Sequence, residues 1–299
     1  MGSWTVSKPD RLRFDEPVTA LDVRLMAGRL NVVGTDGPPR VEVTRIGTRP
    51  VHVTLTDGLL RVEHDAVREP WQRFGPFGWF LGGHRRYTAD VSIAVPPRTV
   101  AALSLVSGAL VASTLSGGAR VDCTSGRVTL LGLGGESYAK VVSGPIEALG
   151  CGGDLSVETV SGEITIADSN ADRVSARTIS GALTCDLDNP SGSDIRLQTV
   201  SGQITVRVRE DSDLQVHLHA TSGRVTSAFE GLNASWPPGV KDVRGTLGAG
   251  TGRLWANATS GRIALLRRPV DDEFDRDRFD DGLDGFDATA GEDTTGQPR

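Results

Sequence analysis

Residues 159–166 read TVSGEITI, and residues 199–206 repeat them almost letter for letter as TVSGQITV. The shared word is Val-Ser-Gly, one free position, then Ile-Thr-aliphatic. Ser-Gly pairs of this kind stand at Ser107-Gly108, Ser125-Gly126, Ser143-Gly144, Ser161-Gly162, Ser180-Gly181, Ser201-Gly202, Ser222-Gly223 and Ser260-Gly261. Their steps are 18, 18, 18, 19, 21, 21 and 38 residues, the last about two periods. Midway between them lie further turn pairs, Ser116-Gly117, Gly134-Gly135 and Gly152-Gly153, so two shorter units make one period. A fixed period of this length marks a repeat architecture whose units bury their apolar faces by stacking on one another.

Aligning the chain on the serine shows which way each column faces. Three residues after it stand Leu110, Val128, Ile146, Ile164, Leu183, Ile204, Val225 and Ile263, all aliphatic. Alternate residues of a strand share a face, so this column and the one two residues further on point inward, with Thr129, Thr165, Thr184, Thr205 and Thr226 outward between them. Before the serine the apolar residues sit four back (Leu103, Val121, Val157, Leu197), so the inward parity changes across Ser-Gly. A corner does this, and glycine suits one because it tolerates positive φ and brings no side chain into the bend. In TVSGEITI, Val160 and Ile164 are expected to fill the interior. Asp122, Lys140, Glu158 and Arg177 share the column three before the serine and predict a lateral charge ladder.

The expected fold is therefore all-β, a parallel β-solenoid with about 18–21 residues per coil and two short strands in each. Residues 101–267 form the solenoid repeats, a body on the order of 40 Å long at about 4.8 Å per stacked strand. Residues 1–100 form a divergent N-terminal β cap in the same sheet system, carrying an aromatic insert at 66–87. There MAGRLNVVG (26–34) is spelled like TSGRVTLLG (124–132), VHVTLTDGLLRVEH (51–64) reads as two strands about Asp57-Gly58, and YTADVSIAVPP ends at Pro96-Pro97. Residues 268–299 form an acidic, disordered tail. Its residues 269–299 hold eleven acids against three arginines, a charge of -8, which leaves the body near +2 from a total of -6. That balance excludes a basic nucleic-acid-binding protein.

Composition agrees with many short strands: 38% hydrophobic, 5% aromatic and 37 glycines. The three cysteines, Cys123, Cys151 and Cys185, are an odd count without CxxC and read as buried, inert thiols. No apolar leader core and no run of about 18 apolar residues is present, so the expectation is a soluble, reduced, cytoplasmic protein.

Motifs that would carry chemistry are weak. The Gly-Gly turns lack the recurring aspartate of calcium-binding nonapeptides. His217 and His219 lie on one strand face, but Gln198 and Asn257 are the expected neighbours, with no acid or cysteine beside them to complete a metal site. Glu158, Glu163, Asp168 and Asp172 fall in the charge ladder or at turns instead of forming a carboxylate pair. No phosphate-binding glycine motif opens a helix. No catalytic, cofactor-binding or metal residue is assigned, and no small-molecule cofactor or nucleic-acid partner is expected.

One segment breaks the pattern. WQRFGPFGWFLGGHRRY (71–87) holds six of the fifteen aromatics of the chain. Trp71, Arg73, Phe74, Phe77, Trp79, Phe80, Arg85 and Arg86 form a candidate patch for an anionic membrane surface or a protein partner. The competing expectation is an apolar lid on an open end of the repeat stack.

The AGRL turn at 27–30, the VPP strand end at 95–97 and the recurring VSGxIxV units together resemble the bacterial "putative adhesin" β-strand-repeat family, also called toastrack domains, akin to LiaG-type proteins. The resemblance covers roughly residues 18–267. It implies a solenoid-like, non-enzymatic domain linked with cell-envelope stress and often tethered to membrane segments, and it supplies no catalytic residues. The expected function is a non-enzymatic scaffold or interaction protein, docking peripherally at the inner membrane. The alternatives are a carbohydrate-binding or adhesive surface protein and a polysaccharide-active enzyme.

Overall fold

The computed structural model describes residues 2–64, 86–187, 192–234 and 241–269, which carry β-strands and no α-helix. Seven strands precede the regular repeat: β1 (Gly2–Val6), β2 (Asp10–Arg13), β3 (Ala20–Gly34), β4 (Arg40–Ile46), β5 (Val51–Thr56), β6 (Leu59–His64) and β7 (Thr88–Val95). The repeat begins with β8 (Val100–Ser113), β9 (Ala119–Leu131), β10 (Ser137–Ser143), β11 (Ile146–Leu149), β12 (Asp154–Ser161), β13 (Ile164–Ser169), β14 (Arg173–Ser180) and β15 (Leu183–Leu187). It ends with β16 (Asp194–Arg209), β17 (Leu214–Ser227), β18 (Asn233–Ala234), β19 (Asp242–Leu247) and β20 (Gly252–Arg268).

The Ser-Gly word sets the pairing register. Ser107, Ser125, Ser143, Ser161, Ser180 and Ser201 are successive lateral partners in parallel pairs. Strands before the corner form one ladder, β9-β10-β12-β14-β16, and strands after it form a second, β9-β11-β13-β15-β16. Since β9 and β16 run through their corners and belong to both, these eight strands make a closed parallel circuit, to which further strands add at each end.

The predicted parity change is present. Val121 and Cys123 are buried before the corner, and Val128 and Leu130 after it. Gly126 and Gly261 show why the corner demands glycine: their φ angles are 145° and 153°, and a Cβ there would fall 1.7 and 1.8 Å from the carbonyl oxygen of the next corner glycine. The opposite turn is left-handed at Thr114, Gly132, Gly150 and Asp168 in successive repeats.

The described N-terminal strands pair with this system. Ala27-Gly28 is in register with Ser107-Gly108. β5 and β6 form an antiparallel hairpin about Asp57-Gly58, both at positive φ, the turn geometry that matches strand twist. β3 pairs with β6 before its corner and with β7 after it.

Three expectations need correction. The repeats do not stack in chain order: β20 lies between β16 and β17, parallel to both, so Ser201 and Ser222 each neighbour Ser260 and not one another. β17 is flanked on its other side by antiparallel β19, and β20 returns into the remaining slot. The charge ladder keeps its register, but Asp122 pairs with Arg120 at 3.3 Å and Glu158 with Arg177 at 3.6 Å, while Lys140 closes no ion pair among the described residues. Val160 does not fill the interior. It is 39% exposed, and Thr159 beside it is the buried residue.

Candidate functional site

The residues flanking each Ser-Gly corner form one continuous edge along the ladders. Immediately before the serine stand Val142, Val160, Ile179 and Val200, in neighbouring strands and 44, 39, 49 and 49% exposed. At strand spacings of about 4.8 Å they make a single-file aliphatic ridge about 14 Å long. The residue before each of the last three is Thr159, Thr178 or Thr199, all buried. This inverts the ordinary preference, since valine would be the better buried residue and threonine the better exposed one. The inversion has a cost: among the described residues the hydroxyls of Thr178 and Thr199 have no hydrogen-bond partner, and of the three only Thr159 Oγ1 reaches a carbonyl, that of Gly144 at 3.5 Å. A sequence shaped for stability alone would exchange the two letters.

Two positions after the serine the outward column carries Arg29, Arg127, Arg262 and Arg224 against one acid, Glu163. Arg127 donates to Glu147 at 2.6 Å. The edge therefore combines exposed aliphatics with a surplus of positive charge. Column alignment could have found it, because an aliphatic precedes Ser-Gly in four consecutive repeats.

The candidate aromatic patch falls between β6 and β7. Trp71, Arg73, Phe74, Phe77, Trp79, Phe80 and Arg85 lie outside the described residues. Its described ends do not: β6 stops at His64, one position past the pairing of Glu63 with Arg24, and β7 starts at Thr88, opposite Ala27. Arg86 is exposed, and its carbonyl accepts from Arg49 N at 3.0 Å. Tyr87 meets His64 edge-on at 6.0 Å and lies under Arg49 at 5.7 Å.

The histidines have a different setting from the one expected. Asn257 does neighbour His219, but Gln198 does not, because β20 intervenes. An acid is present: Asp242 on β19 lies 3.6 Å from His217 Nε2 and 3.7 Å from His219 Nδ1. Both its oxygens accept from Arg244, at 3.0 and 2.9 Å. Burial works to raise the Asp242 carboxyl, but the Arg244 hydrogen bonds and the charges of Arg244, His217 and His219 together hold it below the usual carboxylate range. Among the described residues no grouping has a metal-holding geometry. All three thiols are buried and free, and desolvation, aided by Asp186, pushes Cys185 up to about 12, far from a reactive thiolate. Among the described residues no helix is long and apolar enough to cross a membrane.

Part of the chain is similar to a known family. Residues 154–265 match the family model described as Toastrack DUF4097. Similar solved structures include a "putative adhesin" from Bacteroides fragilis, 13% identical, covering 89% of this chain and 97% of that one at a TM-score of 0.39. Another is a "putative cell adhesion protein" from Clostridium sporogenes, 11% identical, covering 87% and 100% at a TM-score of 0.27. No curated protein matches the chain. Residues 154–265, with their in-register Ser-Gly corners, are thus the part of this chain that is similar to the Toastrack family.

Proposed function

We propose that this protein is a non-enzymatic β-repeat scaffold of the adhesin-like toastrack type, which docks peripherally on an anionic membrane surface through its Ser-Gly edge. The observation that carries this reading is the inverted order Thr159-Val160, Thr178-Ile179 and Thr199-Val200, which places aliphatics outside and hydroxyls inside. A local rule broken repeatedly along one line, at a cost in stability, is expected where function resides. Aliphatics with arginines and a single glutamate suit the boundary between acyl chains and anionic headgroups. The aromatic and basic residues of the 71–86 segment have the composition of a second membrane contact. Lateral partners 18, 19 and 21 residues apart support reading the two ladders as sides of solenoid coils capped by the N-terminal strands. The setting implied by the family resemblance is a bacterial response to envelope stress, with the protein on the cytoplasmic side.

Co-sedimentation with phosphatidylglycerol and phosphatidylcholine vesicles tests the docking. Binding is expected only to the anionic vesicles and to be lost in a Val160→Asp, Ile179→Asp variant, while Trp79→Ala, Phe80→Ala measures the share of the insert. Binding that is absent, or unchanged in the ridge variant, overturns the reading.

A further inference from the structure

At the C-terminal end of the edge the corners of β16, β20 and β17 enclose an open groove of about 720 Å³, lined by Ser201, Gln203, Ser260, Arg262, Gly223 and Arg224. Its floor is the backbone of Gly202, Gly261 and Gly223, which bring no side chains to fill it. Arg262 and Arg224 are direct lateral partners. Two arginines one strand spacing apart repel unless an anion lies between them.

The same outward column shows what a satisfied arginine looks like here. Arg127 has Glu147, which stands four residues after its serine on the adjoining strand, at 2.6 Å. Around the groove that position holds Thr205, Ala264 and Thr226, none of them acidic. Gln203 is turned aside onto Thr205 Oγ1 at 2.9 Å. Asp242, the acid of the adjacent β19, is occupied by Arg244. Arg224 and Arg262 form no ion pair among the described residues.

We propose that Arg224 and Arg262 form a binding site for a phosphate-type oxyanion, with the hydroxyls of Ser201 and Ser260 as additional donors. Two guanidinium forks beside hydroxyl donors match a tetrahedral oxyanion, which accepts several hydrogen bonds at once. The site lies on the edge proposed for docking but does not depend on that docking.

The test is titration of the full chain with pyrophosphate, followed by backbone amide shifts. Saturable changes are expected at Gly202, Gly223 and Gly261, weakening with salt. Affinity should fall about tenfold or more in Arg224→Ala, Arg262→Ala and stay unchanged in Arg127→Ala. The absence of saturable shifts at these glycines in the unsubstituted protein, or an equal response in the double variant, overturns the site. Vesicles bearing phosphatidic acid separate the sources. If pyrophosphate releases the protein from them, the site takes a lipid phosphomonoester; if it binds without releasing the protein, the site takes soluble phosphate. Either result supports the site, and neither depends on the Val160→Asp, Ile179→Asp variant that tests the docking.

Discussion

The middle and the C-terminal end of the Ser-Gly edge share one backbone and differ in what stands on it. In the middle, Val142, Val160, Ile179 and Val200 precede the serine, and the ridge is apolar. At the end, Thr259 and Thr221 take that place, and Arg262 and Arg224 follow the glycine. Corner geometry is thus separable from corner chemistry. Glycine and the parity change hold the repeat in register, while the residues on either side are freer to vary because they point outward and stay partly exposed.

The largest expected effect comes from breaking what the two regions share. Gly126→Ala and Gly261→Ala each force a Cβ into a neighbouring carbonyl at a φ that suits only glycine, so each should destabilise by more than about 3 kcal/mol in urea unfolding. Similar losses at both sites would show one common corner. A loss at only one would show that β20, inserted out of chain order, is held differently.

A smaller effect separates the middle from the end. Thr178→Val removes a buried hydroxyl that has no partner among the described residues, at nearly constant shape, and should stabilise by up to about 1 kcal/mol. Val160→Thr on the exposed ridge should change stability by less than about 0.5 kcal/mol. Destabilisation by Thr178→Val would mean that the inverted pattern serves packing and not an external surface.

The smallest effect belongs to the end. The Asp242 carboxyl is held below its ordinary range, so its contribution is full above about pH 4 and is lost as pH falls through the depressed folded value. The carboxylate is 27% exposed and Arg244 is 66% exposed, so the contribution is less than about 1 kcal/mol. Asp242→Asn should remove this acid-side slope from a plot of urea midpoint against pH. An unaltered slope would assign it to other carboxylates.

Much of the fold is legible in the sequence because strand periodicity acts locally. Ile164 and Ile204 fall on the inward column, and Ser-Gly marks each corner, with no knowledge of the partner strand. Val160 shows where local reading fails: its apolarity suggests burial, yet the parity change places it outside and Thr159 inside. The acid beside His217 and His219 was equally hidden, since Asp242 reaches them only through the antiparallel pairing of β19 with β17.

By itself the sequence determined the strands, their corners, the parallel register and the all-β class, because each repeat spells its own inward face and its own bend. Tertiary structure alone decided the order of the strands and the composition of the edge. The Ser-Gly corners are interchangeable as lateral partners, so nothing in their spelling states that Ser260 lies between Ser201 and Ser222. That choice came from β19 filling one side of β17 and leaving the other side to β20, and it brought Arg262 beside Arg224.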